Sequence, residues 1–327
     1  MLGLSTGLVY GEHLQDPEGV IHNSDINPSE NTGIIAWYDW SDVSTLRTPT
    51  PGESVDNGDD IYSINNKVTH NTRLGNFSLS FTKTGSTLTF ATGGANGKSY
   101  GDFNGLLTQT EVTEASSTYH GNLASTTMPS ASINEGPLSN GLVNSYAGIT
   151  FFFVVDPHSD TASTSTDKTL FSFKANGDAG SSNYTGINLK VEANDDQWNI
   201  GTYDGTGPFQ FHDADIDVAT GVQLLTLRFR DDGDRTAAGT FYIDGDTNSA
   251  YTIDMSDVGS AHVYPNPFGV SYLNNASNFR IGKSAGTNAK AAGFKGKIYE
   301  SILYNKGLSD ANCTLIENHL KTKYGIS

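Results

Sequence analysis

The sequence predicts an all-β protein, a sandwich of two antiparallel sheets closed by a short C-terminal helix. Three observations carry that expectation. Short runs with a period of two recur along the chain, as half-buried strands require. The segments between them are rich in turn formers, with 36 glycines in 327 residues. Only 17% of residues are charged while 36% are hydrophobic, so the apolar content suffices for one large core.

Residues 1–33 show no sustained period and contain two turn signals, Asp16-Pro17-Glu18-Gly19 and Asn27-Pro28-Ser29-Glu30. They read as an extended arm, either a surface-packed leader or an assembly arm whose apolar anchors are Leu2, Leu4, Leu8, Val9 and Tyr10. The main domain is expected over 34–327, opening with a strand at Ile34–Asp39 and a polar turn from Trp40 to Arg47. Phe77–Phe81 and Thr87–Phe90 alternate as a hairpin around Lys83-Thr84-Gly85. Gly93 to Ser99 lacks the spacing of a phosphate loop and reads as a turn before Tyr100–Asn104. Residues 108–148 form a long Ser/Thr-rich connection. Ile149 to Val155 is unbroken apolar sequence, which fits a central strand buried on both faces. Further strands follow at 170–173, 186–192, 198–203, 223–230 and 240–244, the last ending in the hairpin signal Asp244-Gly245.

The chain's end is the most structured stretch in sequence terms. In Lys297–Tyr304, strict alternation places Ile298, Glu300, Ile302 and Tyr304 on one face, and Lys297, Tyr299, Ser301 and Leu303 on the other. Ser309 and Asp310 then start a helix, Cys313, Ile316 and Leu320 give it one apolar face, and Gly325 stops it after Tyr324.

Gly296, Ile298, Glu300 and Tyr304, followed by Leu308-Ser309-Asp310 and Lys323-Tyr324-Gly325, match a pattern that closes many sandwich domains. On these residues, together with Ala36–Asp39, Ile149–Val155, Thr169–Ser172 and Phe241–Gly245, the chain resembles the concanavalin A-like, laminin-G-like (LamG) jelly-roll family over about residues 34–325. The opening Met1-Leu2-Gly3-Leu4 also resembles the start of marine bacteriophage structural proteins that carry LamG-like modules. The resemblance implies a jelly-roll sandwich and a non-enzymatic virion role, as capsid decoration or as a fibre or tail accessory. Its partners would be other virion proteins and further copies of the chain, assembled as homo-oligomers, with synthesis in the host cytoplasm.

Charge excludes some functions and leaves others open. A formal net charge of -17 gives no basic surplus for nucleic-acid phosphates. The N-terminal stretch lacks a signal-peptide pattern, and no run reaches the roughly 18 apolar residues of a membrane span. The single cysteine, Cys313, excludes an intrachain disulfide and reads as a small core residue. The eight histidines are scattered without metal spacing.

Candidate sites are few. Asp56, Asn57, Asp59 and Asp60 form a loop tip that fits either a solvated turn or an oxygen-ligand site for Ca²⁺, the one cofactor the sequence admits. His212 to Asp217 is a second acidic stretch open to the same two readings. Glu300 lies in phase with apolar neighbours and reads as a structural carboxylate or a lone acid. The E-x-D-x-x-E pattern of the retaining glucanases that share this fold is missing, and Glu111 and Glu114 do not replace it. An enzyme is therefore not expected. The alternative to a virion role is a carbohydrate-binding lectin of a bacterial cell surface, with Trp40, Trp198 and Tyr203 as candidate ring platforms for sugar, although an aromatic in such a setting is more often a core or turn residue.

Overall fold

The computed structural model describes residues 34–65, 67, 78–81, 88–104, 112–114, 148–158, 168–175, 185–192, 197–204, 210–230, 239–253, 277–282, 292–304 and 307–327. The first strands are β1 (Ile34–Asp39), β2 (Leu46–Arg47), β3 (Ser63–Asn65), β4 (Ser78–Phe81), β5 (Leu88–Ala91), β6 (Tyr100–Asn104) and β7 (Val112–Glu114). They are followed by β8 (Gly148–Pro157), β9 (Lys168–Ala175), β10 (Thr185–Val191), β11 (Gln197–Asp204), β12 (Gln210–Asp217) and β13 (Gln223–Arg230). The series closes with β14 (Gly239–Ile243), β15 (Tyr251–Ile253), β16 (Ser277–Ile281), β17 (Ala292–Gly293), β18 (Lys295–Tyr304) and one helix, α1 (Asp310–Tyr324).

The large sheet runs β15-β14-β13-β8-β18-β6-β5, and β1 pairs with the C-terminal half of β18. The second sheet runs β12-β11-β10-β9-β16, with β17 joined in parallel to β9. A smaller sheet, β2-β3-β4-β7, adds Leu46 and Ile64 to the end of the core. Apart from the β9/β17 pair, every pairing among the described residues is antiparallel, and the all-β sandwich is as the sequence predicts.

β8 explains the layering. Its apolar run alternates between two cores: Phe151, Phe153 and Val155 face the second sheet, while Phe152 and Val154 face α1. All five are at most 1% exposed. Opposite them, the second sheet contributes Phe171, Leu189, Val191, Trp198 and Ile200. Phe171 packs its ring against both Phe151 and Phe153, at centroid distances of 4.5 and 5.4 Å. The other face of the large sheet carries the second core, where Cys313, Ile316, Leu320 and Tyr324 of α1 settle on Phe152, Val154, Ile302 and Tyr304. Each large apolar side chain so buried contributes about 1.5–3 kcal/mol.

The helix starts and stops where its residues direct. Ser309 accepts from the Asn312 N–H, Asp310 stands in the positively polarised first turn, and Gly325 adopts φ 69° to end the helix. The Gly93–Ser99 run forms the expected turn, and Asn96 in it donates to the Lys323 carbonyl near the helix C-terminus.

Four expectations are corrected. In β18 an extra residue at Tyr299 breaks the alternation: Ile298 pairs with Val155, but Glu300 pairs with Val154. Ile298 therefore enters the inner core, while Ile302 and Tyr304 lie with Tyr299 under α1. The strands on either side of Lys83-Thr84-Gly85 do not form a hairpin; β4 joins the small sheet and β5 pairs with β6 in the large one. The acidic stretch His212–Asp217 is not a turn but part of β12, paired with β11. Val112–Glu114 lies in a strand, β7, inside what reads in sequence as a long connection.

Candidate functional site

The densest group of charged side chains among the described residues lies where β1, β18 and the end of α1 meet. The β1/β18 register sets Asp39 opposite Glu300, and Trp37 lies two residues before Asp39 on the same face. The last turn of α1 brings Lys323 and Tyr324 down onto them. Glu300 is fully enclosed and receives three donors: Trp37 Nε1 on Oε1 at 2.6 Å, and Lys323 Nζ and the Tyr324 hydroxyl on Oε2, each at 2.6 Å. Asp39 accepts from the Ser41 hydroxyl (2.6 Å) and N–H (2.9 Å) on Oδ1, and from Lys323 (2.9 Å) and Lys67 (3.1 Å) on Oδ2. Lys67 also reaches Asp42 at 3.0 Å and lies 4.3 Å from the centre of the Trp37 ring.

The two buried carboxyls are driven in opposite directions. Burial would raise Asp39, but Lys323 and Lys67 outweigh it and hold this carboxyl below its usual range. Burial and then the neighbouring Asp39 charge push Glu300 up, and Lys323 and Tyr324 offset only part of that. Lys323 is itself held more basic than usual: Glu300 and Asp39 overcome a burial effect that would lower it. With every Glu300 oxygen taken by the protein and no exposed surface, this carboxyl is not placed to act on a substrate.

A second polar group lies on the outer face of the second sheet. Leu189 and Val191 of β10 and Trp198 and Ile200 of β11 point into the core, so Asn188, Lys190 and Asn199 point the other way. Thr169, Lys190 and Asn199 are cross-strand partners in one line. These polar residues are sunk into the protein: Thr169 is 1% exposed, Asn188 8%, Lys190 5% and Asn199 0%. Asn188 accepts from the Gly201 N–H at 3.0 Å, and Asn199 donates to Glu192 at 3.2 Å. Sequence reasoning missed this group because its members are four single polar residues on strands whose other face is core. Only the strand register lines them up.

The candidates taken from the sequence fall as follows. Trp40 and Trp198 are not sugar platforms, since both are fully buried in the inner core. Trp40 packs edge-on to Phe103, and a Cβ at Gly101 would lie 2.6 Å from its Nε1. Trp198 packs against Phe241 and points its N–H at Gln223. Tyr203 lies in β11, paired with Gly186. Asp56, Asn57, Asp59 and Asp60 do share one turn, but three of these side chains serve the turn itself or its neighbours. Asp59 accepts from the Asp56 N–H at 2.7 Å, Asn57 accepts from the Thr92 N–H at 2.9 Å, and Ser54 donates to Asp56 at 3.3 Å. Asp60 forms a bridge with Thr89. Among the described residues no group of three or more His, Cys, Asp and Glu is placed to hold a metal ion. Leu2, Leu4, Leu8, Val9 and Tyr10 lie outside the described residues, as does Glu111.

No family model and no curated protein matches the chain. Solved structures give distant likenesses. The CBM40 of the Ruminococcus gnavus IT-sialidase, bound to alpha2,6 sialyllactose, is 15% identical over 54% of this chain and 86% of that one, with a TM-score of 0.36. The Trypanosoma rangeli sialidase in complex with sialic acid is 12% identical over 89% of this chain and a third (33%) of that one, with a TM-score of 0.43. The leech intramolecular trans-sialidase is 15% identical over 57% and 24%, with a TM-score of 0.36. Likenesses this distant decide nothing about the chemistry of this chain, which rests on its own residues.

Proposed function

We propose that this chain is a non-enzymatic β-sandwich that binds a glycan on the outer side of the second sheet, over a buried polar layer. The supporting observation is the line Thr169, Lys190 and Asn199, with Asn188 in the adjoining row. It sets hydroxyl, ammonium and amide groups side by side on a rigid sheet. These groups are at most 8% exposed, so they act from beneath, fixing the surface that lies over them, and do not touch the sugar themselves. The absence of catalysis is part of the proposal and draws on the enclosure of Glu300. A cell-surface setting fits glycan binding; among the described residues no helix is long and apolar enough to cross a membrane. Placement on a virion, the finer expectation from the terminal motifs, draws on residues 1–33, which lie outside the described residues.

A glycan array probed with the full chain tests the proposal, alongside Lys190→Met, which keeps the packing of the side-chain stem. Binding to a defined subset of glycans, weakened about tenfold or more by Lys190→Met at an unchanged melting midpoint, is the expected result. Binding to none, or binding indifferent to both Lys190→Met and Asn199→Ala, overturns it.

A further inference from the structure

The outer face of the large sheet is covered unevenly. α1 lies over Phe152, Val154, Ile302 and Tyr304, and the core beneath it ends at a rim formed by Ala95 and Tyr100. Beyond that rim is the corner where β8, β18, β6 and β5 run side by side. Val155, Ile298, Phe103, Leu88 and Phe90 of these strands face the inner core, so Asp156, Lys297, Asp102 and Thr89 face outward. The register sets the four in one row: Asp156 beside Lys297, Lys297 beside Asp102, and Asp102 beside Thr89. All four are part-exposed, unlike the buried polar layer of the second sheet. The Gly93–Ser99 turn stands over one end of the row, so close to it that a Cβ at Gly94 would lie 2.6 Å from the Tyr100 ring and 2.7 Å from that of Tyr299.

The charged groups of the row are not equivalent. Lys297 Nζ is fixed in place: it donates to Asp156 Oδ2 at 2.7 Å and lies 5.3 Å from the centre of the Tyr100 ring. Asp156 takes one of its three N–H groups, which leaves donors for a ligand. The Asp102 side chain, one strand away, has neither a hydrogen bond nor an ion pair among the described residues. A fixed ammonium with spare donors and an unengaged carboxylate therefore lie next to each other on rigid strands. A free anion approaching the ammonium would meet a carboxylate on each side, and a free cation approaching the carboxylates would meet the ammonium between them. A neutral ligand with adjacent hydroxyls meets neither obstacle, because one hydroxyl can donate to Asp102 while the next accepts from Lys297.

We propose that this corner of the large sheet binds a neutral saccharide, with Asp102 and Lys297 taking two adjacent hydroxyls beside the Gly93–Ser99 turn. Asp156 and the Tyr100 ring act as positioning groups for the ammonium. The inference extends glycan binding to a second surface and stands on residues other than those under the second sheet, so the two readings can fail separately.

An array of neutral mannose-, galactose- and glucose-based oligosaccharides, probed with the full chain and with variants, tests the corner. Asp102→Ala should weaken binding about tenfold or more. Its melting midpoint should not change, because the Asp102 side chain holds nothing in the fold. Lys297→Met should weaken binding about as much, and a deoxy analogue of the bound sugar that lacks one of the two hydroxyls should compete correspondingly less well. Binding to no neutral glycan overturns the proposal, and so does binding that Asp102→Ala leaves intact. If Lys190→Met weakens binding while Asp102→Ala does not, the second-sheet reading stands and this one falls; the reverse result keeps the corner and tells against the second sheet. Should Lys297→Met fail to fold, Asp102→Ala decides the question alone.

Discussion

Gly296 offers a sharp test of how β18 is seated. It lies between β6 and β8, paired with Phe103 on one side and Pro157 on the other. Its φ is +151°, a conformation that residues with a side chain rarely adopt. A Cβ there would come within 2.6 Å of the Asp156 carbonyl oxygen and 3.0 Å of the Phe294 ring. The first of these is backbone in the middle of a sheet and cannot swing aside. In Gly296→Ala the forbidden backbone region costs about 1–3 kcal/mol, and forcing a methyl into closed packing about 1–3 kcal/mol more. Gly221→Ala is the matched control: φ there is +105°, but nothing lies within 4 Å of the added Cβ, so only the backbone cost of about 1–3 kcal/mol applies. Urea unfolding at constant m-value should therefore rank wild type above Gly221→Ala and Gly221→Ala above Gly296→Ala. Equal losses in the two variants would refute the contact with Asp156 as a cause, and no loss in either would refute the positive-φ argument as well.

Two further predictions concern the packing of α1. Cys313 is 1% exposed, and burial pushes its thiol up to about 11, against a smaller opposing pull from Arg228; it should resist disulfide reagents in the native protein at neutral pH and react on unfolding, and equal rates in both states would show that the helix is not seated. Thr226 donates to the buried Glu317 at 2.9 Å, so Thr226→Val should lower stability by about 1–3 kcal/mol, as measured by urea midpoint, and a neutral result would mean that Glu317 finds another donor.

Much of the fold was legible because local chemistry dictates it. Ser309, Asp310 and Gly325 act through their own backbone neighbours, so the bounds of α1 follow from three residues. The run Ile149–Val155 announces a strand with two buried faces, and the structure supplies a core on each. The short strands of the small sheet and β12 were not legible in the same way. Ser63–Asn65 and Val112–Glu114 span only three residues each, too few to show a period. In Gln210–Asp217 the polar residues outnumber the apolar ones, and the strand depends on its pairing with β11 rather than on any pattern of its own. The tryptophans carry two readings in the sequence, core ring or sugar platform, and the structure bears out the first. A Trp beside a turn has the same sequence neighbourhood whether its ring faces a sugar or Phe103, and only the tertiary contact tells the two apart.

The one residue that changes the reading of the site is Tyr299. Strict alternation would put Ile298 and Glu300 on a common face, where a carboxyl would share an apolar layer with no partner to offer it. The extra residue sends Ile298 inward against Val155 and leaves Glu300 facing outward, opposite Asp39 and below the last turn of α1. Tyr299 itself is not left idle in the bulge. Its ring lies 5.4 Å from that of Tyr324, and its hydroxyl accepts from the Ala95 N–H, which ties the Gly93–Ser99 turn to the same corner. Bulges of this kind are features of pairing between distant strands; Gly296 is the one local hint, and it does not say which residue is extra. Strict alternation thus places Glu300, Ile302 and Tyr304 together correctly and puts Ile298 and Tyr299 on the wrong faces. The placement of Glu300 beneath Lys323 and Tyr324 is a consequence of tertiary pairing between β1, β8 and β18.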